Sequence, residues 1–218
     1  VRALAQERKK DEIRQLINTL RVGFVLSTQA NSRKGGLCGM SAVAVALGPD
    51  SNLFMMELFP PQIDALRDMD PRVRFYACES LFNTIKAAQE TSMIFFSQLF
   101  PAFVKLSADT DEMVRSACDM VTKALKEIVV AYPQCLDALN FIPSLVKEFQ
   151  TFDPSARQYI LEWLCLLISI PHAFSLLPHL AMFLPHLLSI LADPNIGLQK
   201  KAEQILFVFL GEMKNEEE

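Results

Sequence analysis

Apolar residues recur along this chain with the spacing of amphipathic helices rather than with the alternation of strands. Val73, Ala77 and Leu81 follow one another four residues apart, which places them on one face of a helix. Ile160 and Leu164 repeat that spacing further along the chain. The chain has only 7 glycines, too few for the many tight turns of a β-sandwich or barrel. The pattern therefore predicts an all-α fold.

The helical pattern itself repeats. Five anchor positions lie 41 or 42 residues apart, namely Arg33, Arg74, Arg115, Arg157 and Gln199. A proline precedes each of the last four anchors by fourteen residues: Pro60, Pro101, Pro143 and Pro185. A period of about 40–47 residues built from paired helices is typical of HEAT-type solenoids. We predict a single domain, a right-handed α-solenoid of five helical hairpins at residues 8–47, 53–88, 93–131, 136–170 and 178–213.

Two further positions hold similar residues in most repeats, and these residues predict contacts between helices. A small residue stands three positions after most anchors, where it allows close approach of a second helix: Gly36, Ala77, Cys118 and Ala202, with Ile160 as the exception. An aspartate stands six positions before three anchors, where Thr151 and Ser27 occupy the other two repeats. We expect each aspartate to accept hydrogen bonds from an arginine of its own or the next repeat. Because a catalytic site is needed once and a structural contact in every repeat, we predict a structural ladder of Asp68, Arg74, Asp109, Arg115, Arg157 and Asp193.

Helix ends are marked by recognisable cap sequences. Asp70-Pro71 and Asp153-Pro154 each place an N-cap aspartate before a proline at the first helical position. Gly48 followed by proline is typical of a helix C-terminus. These signals place the turns between the predicted helices.

Composition and charge narrow the function classes. Hydrophobic residues make up 51% and charged residues 21%, which excludes disorder for most of the chain. The net charge of −4 does not match the basic surface that nucleic-acid binding requires, so no nucleic-acid partner is predicted. The five cysteines form no C-x-x-C pair, and we expect reduced core thiols in a cytosolic protein. Residues 163–192 carry no charge, but Pro171, Pro178 and Pro185 should interrupt a spanning helix, so no transmembrane segment and no signal peptide are predicted.

Candidate chemistry is sparse. His172, His179 and His186 lie seven residues apart, but the prolines between them favour turn or core histidines over a metal site. The segment 32–36 has two glycines without the spacing of a phosphate-binding loop. No catalytic constellation is recognisable, so neither enzymatic activity nor a cofactor or metal is predicted.

The N-terminal segment is basic. Residues 1–34 hold eight basic side chains against three acidic ones. Arg33 and Lys34, near a helix N-terminus, are candidates for contact with an anionic group. A solvated helix face is the commoner interpretation of such a run, and direct recognition of anionic lipid is the alternative.

Several stretches resemble one family of scaffold proteins. These are residues 32–37 (SRKGGL), 46–48 (ALG), 72–83 (RVRFYACESLFN), 105–109 (KLSAD), 141–143 (FIP) and 156–158 (ARQ). They are similar to the N-terminal HEAT repeats of the ArPIKfyve family, the vacuole-morphology scaffolds. The resemblance runs at intervals from Asn31 to Met213, and implies that this chain is the N-terminal portion of a longer scaffold.

The resemblance also implies a function. Members of that family are non-catalytic, self-associating scaffolds, peripheral on endosomal and vacuolar membranes. They bring a PIKfyve-type lipid kinase together with a Sac-domain phosphatase for synthesis and turnover of phosphatidylinositol 3,5-bisphosphate. An unrelated HEAT-repeat adaptor remains the alternative.

One helix face is the candidate for protein binding. If Val73, Ala77 and Leu81 face the core, the opposite stripe of the same helix consists of Tyr76, Glu79, Asn83 and Lys86. The second helices of solenoid repeats line the face that binds partners. A solvated helix face with a half-buried tyrosine is the competing interpretation.

Overall fold

The fold is all-α, as the sequence predicts. A computed structural model describes residues 1–7, 9–170 and 176–216, and it is 85% helical, with no strand in this part of the chain. The α-helices within these residues are α1 (Arg2–Gln6), α2 (Lys10–Leu20), α3 (Ala30–Leu47), α4 (Met55–Ala65), α5 (Pro71–Ala88), α6 (Phe96–Leu106), α7 (Glu112–Ala131), α8 (Ala138–Glu148), α9 (Pro154–Ser169), α10 (Leu180–Leu191) and α11 (Ile196–Glu216).

The helices fall into pairs and the pairs into two compact units. Each predicted repeat span covers two of these helices, although α11 runs past the last span to Glu216, and α1 lies ahead of the first span. The first unit is Val1–Ala131 and the second is Tyr132–Glu218. In the first unit α3, α5 and α7, the second helices of their pairs, lie side by side, and α4 packs against α5. In the second unit α11 packs against both α9 and α10.

Each unit has its own apolar core. In the first, Leu37, Leu81 and Leu125 from the three adjacent second helices are fully buried. The rings of Phe59 and Phe95 stack there with centroids 4.6 Å apart. In the second unit Trp163, Phe183 and Phe209 are buried. The predicted core face of α5 is confirmed, because Val73, Ala77 and Leu81 are all 0% exposed.

A buried polar cluster joins three helices of the first unit. The Oε1 atom of Gln62 accepts hydrogen bonds from the hydroxyls of Ser80 and Thr84, at 3.0 and 3.1 Å. The single hydroxyl proton of Ser80 is shared between Gln62 Oε1 and the carbonyl of Leu37, which lies 2.8 Å from the hydroxyl oxygen. The side-chain amide of Gln62 donates to the carbonyl of Leu58. Burying a polar group costs free energy unless it is hydrogen-bonded, and the side chains of Gln62, Ser80 and Thr84 are all hydrogen-bonded. The cluster therefore ties α4 to α5 and α5 to α3.

The predicted caps are present. Asp70 accepts a hydrogen bond from the Arg72 N–H at 2.9 Å, ahead of Pro71 in the first turn of α5. Asp153 accepts from the N–H groups of Ser155 and Ala156, at 2.8 and 3.1 Å. Each side chain satisfies backbone donors that a helix start leaves without partners.

The recurring prolines lie inside helices, not between them. Each is the sixth residue of the first helix in its pair: Pro60 in α4, Pro101 in α6, Pro143 in α8 and Pro185 in α10. The expectation that Pro185 interrupts the helix is therefore wrong. At the sixth position the missing N–H removes one hydrogen bond, to a carbonyl in the first turn, so the remaining turns are unaffected.

Three local features depart from the expected pattern. Residues Arg21–Val25 form a π-helical turn, whose final residue packs against Gly36; a Cβ at Gly36 would lie 2.7 Å from the Val25 side chain. Gln89 ends α5 with a φ of 52° although it is not glycine; Gly48, 41 residues earlier, ends α3 as predicted, with a φ of 58°. Cys38 is exposed, so it is not the core thiol that was expected, whereas Cys78 and Cys118 are buried.

Candidate protein-binding surface and the Arg–Asp ladder

Arginines and aspartates of successive repeats join at the turns between paired helices. The Nε and Nη2 atoms of Arg74 donate to the two carboxylate oxygens of Asp109, both at 2.8 Å. The remaining Nη1 donates to the backbone carbonyl of Asp68, in the turn of its own repeat, at 2.8 Å. Bidentate pairs of this kind are among the strong hydrogen bonds of proteins. Arg33 makes the same bidentate contact with Asp68, whereas Arg157 donates to Asp193 through Nη1 alone. These three pairs, Arg33–Asp68, Arg74–Asp109 and Arg157–Asp193, form the ladder.

The direction of the ladder differs from the expectation. Each aspartate pairs with the arginine of the preceding repeat, not with that of its own or the next. The own-repeat side chain binds the turn carbonyl instead, as Arg115 does with Asp109 at 2.6 Å. Gln199 makes the same turn bond, to the carbonyl of Asp193, so this contact does not need a charge. Arg115 forms no ion pair with any residue that the structure describes.

The aspartates also hold their own turns. Asp68, Asp109 and Asp193 each accept a hydrogen bond from the backbone N–H two residues further on, at 2.9, 3.0 and 2.9 Å. Ser27 and Thr151, which replace aspartate in the other repeats, accept the same bond through their hydroxyls. The turn bond is thus common to all five repeats, and the carboxylate adds the ion pair.

Charge pairing changes the acidity of the ladder carboxylates. Burial raises the pKa of Asp109, but the hydrogen bonds from Arg74 and from the Asp111 N–H outweigh it, and the net pKa is lowered. For Asp193 the hydrogen bond from the Asn195 N–H is the largest cause of a lowered pKa, opposed by burial and aided by Arg157. Both carboxylates are therefore held ionised, as a structural ion pair requires.

The candidate protein-binding stripe lies on the outer side of α5. Asn83 and Lys86 are exposed, whereas Tyr76 and Glu79 are half-buried. Tyr76 is thus less accessible than the sequence suggested, because its ring packs edge-on against Phe75 with centroids 5.6 Å apart. What remains accessible is a mixed polar and aromatic strip along one helix.

Neighbouring second helices widen this stripe into a surface. The ammonium of Lys34 on α3 lies 5.7 Å from the centre of the Tyr76 ring. The ammonium of Lys86 donates to the carboxylate of Glu127 on α7 at 2.9 Å. Glu127 is absent from the residues singled out by sequence, although it stands 41 residues after Lys86, one repeat period, and that spacing could have identified it. The accessible residues of α3, α5 and α7 together form what we call the second-helix face.

Three of the basic residues in the N-terminal segment, Lys9, Arg14 and Arg33, pair with acidic neighbours. The guanidinium of Arg33, a candidate for contact with an external anion, donates to the carboxylate of Asp68 at 2.7 and 2.9 Å. Lys9 pairs with Glu7, and Arg14 with Glu57 at 3.1 Å. Arg8 lies outside the described residues.

Of the histidine triplet, His179 and His186 lie within the described residues. His186 stacks on Phe149 with centroids 5.5 Å apart, and His172 lies outside the described residues. In the described part of the chain, no three histidine, cysteine or acidic side chains gather as metal ligands. Over the same residues, no helix has both the length and the apolar character that a membrane span needs.

Comparison with known sequences identifies relatives of this chain. The sequence model described as the vacuolar 14 Fab1-binding region matches residues 31–127. A protein named VAC14 homolog from Arabidopsis thaliana is 37% identical over 215 residues, covering 99% of this chain and 29% of that protein. The VAC14 homolog of Schizosaccharomyces pombe is 27% identical over 98% of this chain and 31% of its own length. The Saccharomyces cerevisiae vacuole morphology and inheritance protein 14 is 28% identical over 74% of this chain and 23% of its own length.

Solved structures with similar helical arrangements are more distant in sequence. A designed armadillo repeat protein in complex with the peptide (KR)4 has a TM-score of 0.49 and 16% identity, over 94% of this chain and 85% of that one. An archaeal HEAT-like repeat protein from Thermococcus onnurineus has a TM-score of 0.41 and 12% identity, over 93% and 97%.

The repeated helix pairs and the matched relatives define a class. The chain is an all-α protein built from repeated helix pairs, as expected from sequence. The chain spans less than a third of the length of the curated relatives it matches. Within its class, the chain belongs to the VAC14 family, the ArPIKfyve family that its motifs indicated.

Proposed function

We propose that this chain is the kinase-binding part of a scaffold, and that a Fab1/PIKfyve-type lipid kinase docks on the second-helix face. The observation that carries the proposal is the extent of the family match. Residues 31–127 begin one residue into α3 and end at Glu127 in α7, so the matched region comprises α3 to α7. These helices contain all of the second-helix face in the first unit.

The chemistry of the second-helix face supports this use. Tyr76 offers an aromatic ring with a polar tip, a side chain enriched where proteins bind one another. Lys34 and Lys86 lie to either side along the face, and Glu79 adds a negative charge between them. Such a pattern of charges around an aromatic residue selects a partner by complementarity more than by buried area.

The same proposal extends to the longer protein. A scaffold of this family would hold the kinase together with a Sac-domain phosphatase, so that phosphatidylinositol 3,5-bisphosphate is made and turned over at one place. It would self-associate and reside peripherally on vacuolar or endosomal membranes. Family membership supports this extension, as does the printed name of the yeast relative, which refers to vacuole morphology.

A binding experiment with surface variants tests the kinase proposal. The chain is immobilised, and capture of a purified PIKfyve-type kinase is measured for the Tyr76→Ala, Glu79→Ala double variant. We expect capture to fall roughly tenfold, since removal of central contacts is what weakens an interface most. The matched control is Gln98→Ala with Lys105→Ala, two exposed positions on one face of α6.

The outcome separates the two faces. Full capture by the α5 variant would remove the second-helix face from consideration. Equal loss in the α6 control would show that the effect is not specific to α5. Unchanged melting temperatures of both variants would show that lost capture does not come from lost folding.

A further inference from the structure

A groove opens at the turn edge of the first unit, away from the second-helix face. Its volume is about 710 Å³, within the range of pockets that hold a ligand or a short peptide. One wall is the π-helical turn and the residue after it, and the other is the C-terminal half of α4 with the turn that follows. The lining residues used below are Arg21, Leu26, Pro60, Pro61, Arg67 and Met69.

Apolar side chains of this groove are left in water. Leu26 is 64% exposed and Met69 is 96% exposed. Pro60, which is half-buried, and Pro61, which is buried, lie on the same wall as Met69 and face Leu26. A π-helical turn such as Arg21–Val25 is uncommon, and such turns occur frequently at functional sites. Exposed apolar surface around a concave site indicates contact with another molecule.

The charges of the groove are unbalanced. The guanidinium of Arg33 and the carboxylate of Asp68 neutralise each other at its base. Arg21 and Arg67 are exposed, and neither forms an ion pair with any residue in the described part of the chain. Asp64 is the single lining carboxylate besides Asp68. Two unpaired cations against one acid complement a negatively charged occupant.

We propose that this groove binds an extended acidic segment of a partner protein. An apolar side chain of that segment packs between Leu26 and Pro60, and flanking carboxylates pair with Arg21 and Arg67. The apolar lining favours a peptide over a bare phosphate group, which would leave that surface in water. Arg21 and Leu26 precede residue 31, where the family match begins, whereas the lining residues of α4 and of the turn after it lie within the match. The groove and the second-helix face consist of different residues, so loss of kinase capture by the α5 variant would not test the groove.

Fluorescence polarisation of a labelled peptide tests the proposal on the full chain. The probe is a fluorescein-labelled decapeptide with Leu-Phe at its centre and glutamates on both sides. We expect it to bind, and Arg21→Glu with Arg67→Glu to weaken binding roughly tenfold or more, because two charge pairs become repulsions. The matched control, Lys105→Glu with Lys123→Glu, makes the same change of charge at two exposed positions of the same unit and should change binding less than about twofold.

Each alternative result overturns the proposal. Absence of peptide binding, or equal loss in both variants, would mean that the groove is not the site. Equal binding of a peptide with serines in place of Leu-Phe would mean that the apolar lining plays no part. Binding of inositol hexakisphosphate or phosphatidylserine vesicles through Arg21 and Arg67, without peptide binding, would assign the groove to a phosphate group instead.

Discussion

Replacing Arg74 by glutamine should remove one pair of the ladder while keeping the rest of its contacts. Gln199 shows that a glutamine at this position still donates to the carbonyl of its own turn, at 2.6 Å. What Arg74→Gln loses is the pair of 2.8 Å bonds to Asp109. The substitution therefore removes the ion pair and keeps the turn hydrogen bond, as Gln199 already does in its own repeat.

The magnitude follows from the burial of the pair. The side chains of Arg74 and Asp109 are 15% and 8% exposed, so solvent screens them little. Without Arg74, the Asp109 carboxylate keeps the hydrogen bond from the Asp111 N–H and loses its counter-ion. Breaking a buried pair by removing one partner costs about 3–5 kcal/mol, and a hydrogen bond to a charged group contributes about 1.5–3 kcal/mol. Because this pair is partly exposed, we expect a loss of about 2–4 kcal/mol in the free energy of unfolding.

Urea unfolding followed by circular dichroism at pH 7 measures this loss, and amide hydrogen exchange in α5 and α6 locates it. The matched control is Arg115→Gln, since Arg115 keeps only its turn bond within the described residues and should tolerate glutamine to within about 0.5 kcal/mol. Equal destabilisation by the two substitutions, or a loss below 0.5 kcal/mol for Arg74→Gln, would refute the reasoning.

Three further predictions concern the first unit. The pKa of Asp109 is lowered in the folded state, so its stabilising contribution is complete above the unfolded pKa of about 4 and is lost as the pH falls through the folded pKa. The difference in unfolding free energy between the native protein and Arg74→Gln should therefore narrow in urea titrations as the pH is lowered from 7 toward 2. A constant difference would contradict this. Gln89→Gly should raise the free energy of unfolding by about 1 kcal/mol, because a φ of 52° strains a non-glycine residue and Gly48 has the equivalent conformation; an unchanged or lower melting temperature would show that no strain is relieved. Leu81→Ala should cost about 2–5 kcal/mol in a denaturant titration by leaving a core cavity, whereas a change of a few tenths would mean that neighbours fill the space.

Periodicity predicted the features of this fold that recur in every repeat. The apolar spacing of α5 and its cap at Asp70 follow from local rules, and both are present. The Arg and Asp columns identified the residues of the ladder, but not that each carboxylate pairs with the preceding repeat. Sequence spacing within one repeat does not contain the offset between stacked helices, so that direction requires the three-dimensional arrangement.

Single features were harder to predict than repeated ones. Cys38 shares its spacing with Cys78, yet it is exposed, because burial depends on whether another helix covers that face. Arg33 stands near a helix N-terminus, where the sequence suggested a site for an external anion. Its guanidinium instead binds the carboxylate of Asp68, 35 residues further along the chain. The groove beside Arg21 depends on a π-helical turn, for which the sequence gives no signal in composition or spacing.

The one-way pairing of the ladder has a consequence for how the molecule can be cut. A fragment that starts between α3 and α4 keeps the Asp68 carboxylate, 12% exposed, and discards its cationic partner Arg33. A fragment that stops before α6 keeps Arg74 and loses Asp109. This truncation should destabilise the protein less, because Arg74 retains its hydrogen bond to the turn carbonyl of Asp68. Truncation from the N-terminus should therefore destabilise the remaining protein more than truncation from the C-terminus. Replacing the unpaired Asp68 with serine or threonine, the residues found at Ser27 and Thr151, would keep the turn hydrogen bond without the charge.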